Sequence, residues 1–451
     1  MKGAADPRRD RQAPHRDRHP GGGAWAPLRE SKLFRYLWIA QSVSVLGTWM
    51  QTVGSQWYLV DQSAVLVALV QTALTLPYLL FALPAGALGD RGHRRILILG
   101  SLGTQTVVAG VMAALAAADR LPGGTLLALT FVLGSCAAIG APAIQSLQSD
   151  SVPRHQLAQA ATLTSLSVNV GRAVGPGVGG ALVALSGPAV VFALNAATFA
   201  FALLLLGRQA MPRVSSGRGQ RIAAAMLDGT RYTFRNPQVR RVIVWTLVFA
   251  PLSAAIWALL PTIAYHDLGL SVSGYGLLLG AVGLGSVGSV FLLPYLRRAV
   301  PQNLSTGVAL SVMGIALVLV GSIPRIALAA IVLVPTGLAY ITILARLSSD
   351  MQLSLPPWVR ARGLAIYQVC FSTAVAVGSA VWGALASGFS AGLALALAGV
   401  LLVVAGPVLH WVPMHDAGSI VHEPVGASLA GSLPGGVPVG LPSPDSRTLR
   451  V

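Results

Sequence analysis

Apolar residues in this chain come in long runs separated by short polar breaks, and that pattern predicts the architecture. Twelve runs fall near 35–60, 64–88, 96–118, 125–147, 158–185, 188–207, 241–264, 272–296, 304–322, 326–346, 362–386 and 390–412. A helix crosses a bilayer in about 20 residues, and each run comes close to or exceeds that length. The reading is an all-α membrane protein with twelve transmembrane helices. Gly and Pro punctuate many of the runs, which membrane helices tolerate because neighbouring helices re-satisfy the freed backbone groups.

The polar stretches divide the chain. Residues 1–33 carry Arg8, Arg9, Arg11, Arg16, Arg18 and Arg29 among Pro and Gly, the composition of a disordered basic tail. The stretch 208–240 carries Arg208, Arg213, Arg218, Arg221, Arg231, Arg235 and Arg240. It separates a six-helix half at 34–207 from a second at 241–412. Residues 221–235 fit either a short amphipathic surface helix or a polar linker. Residues 413–451 are rich in Gly, Pro and Ser and read as a second disordered tail.

Charge fixes the expected orientation. With both termini inside, every one of the 31 Lys and Arg faces the cytoplasm except Arg120 and Arg325 in outer loops and Arg172 within a run. Basic residues stay on the cytoplasmic side. This predicts a multi-pass protein of the cell inner (plasma) membrane, with both tails and the central loop cytoplasmic. The halves also look related. Val152, Gly175 and Gly180 recur at one constant offset as Leu355, Gly378 and Gly383, in the loop before and the interior of the fifth and eleventh runs. Repeated halves are usual in secondary carriers, with the substrate path between them.

Composition narrows the function classes. The 451 residues are 54% hydrophobic and 10% charged, against roughly a quarter charged in soluble domains. The formal charge of +17 does not point to nucleic acid, because the bases sit in short loops and the amino-terminal tail. No Walker A, zinc-finger or dinucleotide fingerprint appears, so neither an ATP-driven pump nor a cofactor is expected. Cys136 and Cys370 lie inside apolar runs as small packing residues, with no metal site or disulfide framework. The polar first 30 residues do not resemble a cleavable signal. An enzyme would need clustered His, Asp or Cys at membrane depth, and none is visible.

Candidate chemistry lies in a few polar side chains. Arg172 is the only base deep in a run; such a charge is costly and faces a cavity or a partner. It fits an anion-attracting role and a structural hydrogen-bonding role equally, and Asn169 shares its helical face. Candidates for a substrate cavity are Gln41, Trp49, Gln51, Gln71, Gln105, Asn169, Asn195, Trp257, Tyr340 and Gln368, together with Gln56. A mostly apolar cavity with scattered amides and aromatics suits a bulky amphipathic ligand. Each of these residues alone also fits helix–helix hydrogen bonding or packing. Trp38, Trp57 and Tyr58 read as interface anchors. All fourteen acids lie in tails, loops or helix ends; Asp61, Asp150, Asp267 and Asp350 are the ones placed to titrate near a path.

One segment suggests a family. Gly86, Leu88, Asp90, Arg91, Arg94 and Arg95, between the second and third runs, match the Gly-x-Leu-Ala-Asp-Arg-x-Gly-Arg-Arg/Lys signature of the major facilitator superfamily. Gly89 replaces its Ala, and His93 its second Gly. That departure, with Phe34-Arg35, Gly47-Thr-Trp-Met-Gln51, Val152-Pro153, Gly171–Pro176 and Arg235-Asn-Pro237, resembles the branch of the enterobactin exporter and the macrolide efflux pumps. The resemblance covers about residues 33–412.

It implies a two-half, twelve-helix secondary transporter exporting an amphipathic small molecule, such as a drug or siderophore, by alternating access. It also implies a proton as coupling ion. Gly86, Asp90, Arg91, Arg94, Arg95 and Asp150 would form a conformational latch, with Arg94 and Arg95 meeting Asp150. Arg172, Gly175, Pro176, Gly179 and Gly180 partly match an exporter motif of the fifth helix, although close packing explains the small residues as well. A facilitator-type importer of a small metabolite and a carrier-fold sensor without transport are the alternatives. Partners are then a small-molecule substrate, the coupling ion and the lipid bilayer; oligomeric state stays open.

Overall fold

A computed structural model describes residue 23 and residues 25–88, 92–211, 235–323, 325–356 and 360–411. The two expected tails, the possible helix at 221–235, and Asp90 and Arg91 lie wholly or mostly outside the described residues. Among the described residues there is no strand. The helices are α1 (Ala26–Glu30), α2 (Lys32–Tyr58), α3 (Ala64–Thr75), α4 (Pro77–Leu88), α5 (Arg94–Ala117), α6 (Gly123–Asp150) and α7 (Leu157–Ser186). They continue as α8 (Pro188–Gly207), α9 (Pro237–Thr262), α10 (Val272–Ala299), α11 (Gln302–Ser322), α12 (Ile326–Leu353), α13 (Arg360–Gly388) and α14 (Ala391–Trp411).

Local chemistry sets several helix boundaries. The Ser31 hydroxyl caps α2 by accepting from the Phe34 N–H, and Ser63 caps α3 through Val65. Asn236 accepts from the Gln238 and Val239 N–H groups at the start of α9, just before Pro237 at its first position. That pairing satisfies two of the free donors of a helix start and places Pro where its missing N–H costs nothing. Gly187, with φ +78°, turns α7 into α8, a backbone conformation that favours glycine.

Among the described residues, eleven spans meet the length and hydropathy expected of a membrane crossing. The twelfth, α2, is long enough at 27 residues but more polar. Its Gln51, Thr52, Ser55 and Gln56 are buried, so its polarity is spent against other helices. Two boundaries differ from the sequence expectation. The 64–88 run is interrupted at Leu76, because Pro77 cannot donate to the preceding turn. The tenth run continues past 346 to Leu353, because its polar end is held in helix by an Arg346–Asp350 pair one turn apart.

The two groups of helices pack alike. In the first, α2 packs against α7 and α8, α5 against α6 and α8, and α3 against α6. In the second, α9 packs against α13 and α14, α11 against α12 and α14, and α10 against α12. Two seams join the groups, α7 with α10 on one side and α3 with α13 on the other, the second extended by α3 against α9 and α4 against α13. We call the end at Lys32, Gly207, Pro237 and Trp411 the near end, and the opposite end the far end.

Glycine sets the closest approaches. A Cβ on Gly175 would lie 2.6 Å from the Trp49 Cβ, and one on Gly378 would lie 2.5 Å from the Pro251 Cα. These residues occupy equivalent places in the two halves and bring α7 onto α2 and α13 onto α9. Gly180 and Gly383, also equivalent, line the two seams: a Cβ on the first would meet the Val272 carbonyl at 2.7 Å and on the second the Ala68 Cβ at 2.5 Å. On α11 and α14, Gly307, Gly314 and Gly321 face Gly406, Gly399 and Gly392 with backbone against backbone.

Candidate functional site

Arg172 occupies the middle of α7, about equally far from Leu157 and Ser186. Its guanidinium carbon lies 5.5 Å from the ring centroid of Trp49 on α2, 6.0 Å from that of Trp257 on α9 and 5.3 Å from that of Tyr340 on α12. The rings touch one another, with Trp49 and Trp257 centroids 5.4 Å apart and Trp257 and Tyr340 centroids 5.8 Å apart. Phe249 backs Tyr340 at 5.7 Å. Two helices of the first group and two of the second therefore converge on one cation.

The α7 glycines make this possible. Gly171 lies against Val45, Gly175 against Trp49 and Gly179 against Met50. Spaced at four residues, they let α2 lie on α7, so that Trp49 reaches Arg172 one turn away. Pro176 and Gly180 face the other way, toward Gly276 of α10. The fifth-helix glycines thus pack α7 closely on both sides.

A charge at this depth needs compensation. No carboxylate pairs with Arg172 among the described residues, and its Nε and Nη1 are shielded from solvent without a hydrogen-bond partner in the protein. Facing aromatic rings contribute roughly 0.5–2 kcal/mol each to a cation. They leave the donor capacity of those nitrogens unused, and a buried donor left unmatched costs roughly 1–3 kcal/mol, more when charged.

The predicted amides do not join this cluster. Asn195 donates to Gln51, which in turn lies 3.5 Å from the Met112 sulfur. Gln105 donates to the Leu133 carbonyl, Gln148 to Gln41 and Asn169 to the Ser165 carbonyl one turn back. Gln71 is half-buried on α3, and Gln368 is exposed and donates to Ser372 at 3.2 Å. Most of these amides bind α2, α5, α6 and α8 to one another. Trp38 and Trp57 are likewise engaged inside the protein: the indole of Trp38 donates to the Leu163 carbonyl, and Trp57 stacks on Tyr275.

At the far end, Gln56 bridges the seam. It donates to the Trp257 carbonyl at 2.8 Å and accepts from the Tyr275 hydroxyl at 2.7 Å. The ring of His266 lies 3.3 Å from the Val60 carbonyl. Nearer mid-depth, Thr72 donates to the Ala376 carbonyl at 2.9 Å.

At the near end, Arg94 pairs with Asp150 at 2.5 Å, joining α5 to α6. Arg95 donates instead to the Gly207 carbonyl at the end of α8. Gly86 lies nearest Pro142, at ordinary van der Waals distance from where a Cβ would be. The second group holds a buried counterpart, of which sequence reasoning singled out Asp350 but not Arg346. Arg346 pairs with Asp350 at 2.6 Å and also donates to Gln302. A cavity of about 280 Å³ opens there among Thr306, Thr342, Arg346, Ser349 and Asp350. The one-turn spacing of Arg346 and Asp350 was the available signal.

A family described as transmembrane secretion effector matches residues 22–427. The enterobactin exporter EntS of Shigella boydii serotype 4 is 28% identical over 395 residues, covering 84% of this chain and 92% of that protein. EntS of Escherichia coli O1:K1 is 27% identical over 394 residues, with the same coverage. Among solved structures, a bacterial homologue of the human lysosomal transporter Spinster, inward-facing and unoccupied, has a TM-score of 0.66 at 16% identity, covering 85% of this chain and 96% of that one. The nucleoside transporter NupG has a TM-score of 0.68 at 11% identity, covering 85% and 100%. The human organic anion transporter MFSD10 has a TM-score of 0.60 at 17% identity, covering 84% and 98%.

Proposed function

This chain belongs to the transmembrane secretion effector family and is a multi-pass membrane transporter of the major facilitator type, not an enzyme; from that premise we propose that it exports an amphipathic small molecule, a drug or a siderophore, from the cytoplasm by alternating access. The near end is the cytoplasmic side of the inner (plasma) membrane in this reading, because the basic residues collect there.

The observation that carries the proposal is where the two groups of helices touch. Among the described residues, the hydrogen bonds between them, from Gln56, Tyr275, Thr72 and the His266 ring, lie between mid-depth and the far end. Arg172 and its rings sit at mid-depth, where the α7–α10 seam brings Ala173 against Gly283. Parting the α3–α13 and α7–α10 seams would bare the same residues to the far side. The likeness to enterobactin exporters supports outward transport.

A proton is the proposed coupling ion. Its carriers are sought among Asp61, Asp150, Asp267 and Asp350, which stand at helix ends. The near-end latch of Gly86, Asp90, Arg91, Arg94, Arg95 and Asp150 is proposed to break and reform in each cycle. Arg94–Asp150 joins two helices of the same half, so contact across the halves would fall to Asp90 and Arg91.

The test is efflux of an accumulated lipophilic dye from expressing cells, with and without a protonophore. Dye loss that needs the protein and collapses with the proton gradient is the expected result. Expression-dependent accumulation would favour uptake instead.

A further inference from the structure

We infer that Arg172 anchors an organic anion, its negative oxygens received by the guanidinium and its flat apolar body laid against Trp49. The inference rests on the transport reading above and names the substrate class that the central site takes.

Three observations converge. Arg172 is a mid-depth cation with no acid partner among the described residues, and it keeps two shielded nitrogens, Nε and Nη1, without a hydrogen-bond partner in the protein. A carboxylate, phenolate or sulfonate oxygen is the acceptor that a guanidinium binds most strongly. A cation would be repelled, and a neutral ligand would leave the charge uncompensated. The second observation is the ring frame. Trp257 and Tyr340, both beside the guanidinium, are 9% and 6% exposed, while Trp49 remains partly open. An aromatic ligand body therefore has one ring to lie on, in offset or edge-to-face contact. The third is position. The four residues come from α2, α7, α9 and α12, on both sides of the seam, so a ligand held there touches both moving parts.

A purely structural Arg172, held by its rings, makes a different prediction, because it would give no preference for ligand charge. The experiment compares three isosteric probes, 2-naphthoate, 2-naphthalenemethanol and 2-naphthylmethylammonium, by calorimetry on the full-length protein in phosphatidylcholine nanodiscs. We expect naphthoate to bind at least about tenfold more tightly than the alcohol, the scale of one charge-assisted hydrogen bond, and the ammonium to bind most weakly. Arg172→Gln should bring the naphthoate-to-alcohol ratio close to one. Trp49→Leu should weaken naphthoate and alcohol together and leave their ratio unchanged.

Equal affinities in the wild-type protein overturn the inference, as does the absence of binding by all three probes. So does an Arg172→Gln variant that keeps the preference for naphthoate. The wild-type ratio decides even where a variant fails to fold. Charge-selective binding without expression-dependent transport would leave the anchor intact and overturn export. Dye efflux without charge-selective binding would do the reverse.

Discussion

The hydroxyl of Tyr275 on α10 donates to the side-chain oxygen of Gln56 on α2 at 2.7 Å, so two buried polar groups from opposite halves satisfy each other at the far end. Gln56 spends its amide hydrogens on the Trp257 carbonyl. A glutamine that looked like a cavity residue is instead a tie across the seam.

Tyr275→Phe tests that tie. The ring and its stack on Trp57 remain, but the Gln56 oxygen loses its donor. Leaving one buried acceptor unmatched costs about 1–3 kcal/mol. The cost falls only on the state in which the halves touch at the far end. We expect a lower melting temperature in detergent. We also expect faster maleimide labelling of a cysteine placed at Ala68, which is buried and faces Gly383 across the α3–α13 seam. Unchanged labelling would show that the bond is incidental.

Asp350→Asn should be costly. Arg346 and Asp350 have side chains 10% and 4% exposed, and removing one partner of a buried pair leaves the other charge uncompensated, at about 3–5 kcal/mol. Gln302 and Asn303 would soften that loss by accepting from the guanidinium. Arg346→Leu with Asp350→Leu should recover most of the stability, because an apolar pair carries no desolvation cost. Thermal melts of the three proteins check the order.

The Arg94–Asp150 pair should behave differently. The Asp150 side chain is 52% exposed and that of Arg94 12%, so this half-open pair falls between the about 0–1 kcal/mol of exposed pairs and the about 3–5 kcal/mol of buried ones. Asp150→Asn should therefore leave insertion unchanged and lower the melting temperature less than Asp350→Asn does. If the proposed latch operates, its transport rate falls several-fold, and Arg94→Gln in the same background adds little. Additive losses in that double-mutant cycle would argue that the two residues act separately.

Gly314→Val should prevent stable packing of α11 on α14, because any Cβ there meets the Gly399 carbonyl at 2.5 Å. Overpacking of this kind costs roughly 1–3 kcal/mol or more when backbone is the obstacle. Gly288→Ala, where a Cβ would meet nothing within 4 Å, should be neutral. The amount of folded protein after membrane extraction, by fluorescence-detected size exclusion, separates the two.

How much of this was legible in the sequence depends on the range of each interaction. Helix positions were legible because hydropathy is local: the run at 188–207 coincides with α8, and most others shift by only a few residues. Arg172 stood out because one charge among apolar neighbours is conspicuous without knowing the fold. The ring frame was half legible. Trp49, Trp257 and Tyr340 were candidates, but nothing local separated them from Gln51 and Asn195. Those amides find each other across 144 residues of chain, a pairing that only the packing of α2 against α8 reveals. The division of labour between Arg94 and Arg95 was hidden for the same reason, since the Gly207 carbonyl becomes an acceptor only where α8 ends beside α5.

The facing glycines of α11 and α14 recur at seven-residue intervals on both helices, and they act as a ruler as well as a seam. Long side chains that interdigitate can slip by changing rotamers, but Gly307, Gly314 and Gly321 have none to change. The next register that sets glycine against glycine lies seven residues away, about 10 Å at the rise of an α-helix. Shorter slides would drive a Cβ into a carbonyl. The two helices therefore travel as one strut, and any motion of the second half has to be taken up at its other contacts.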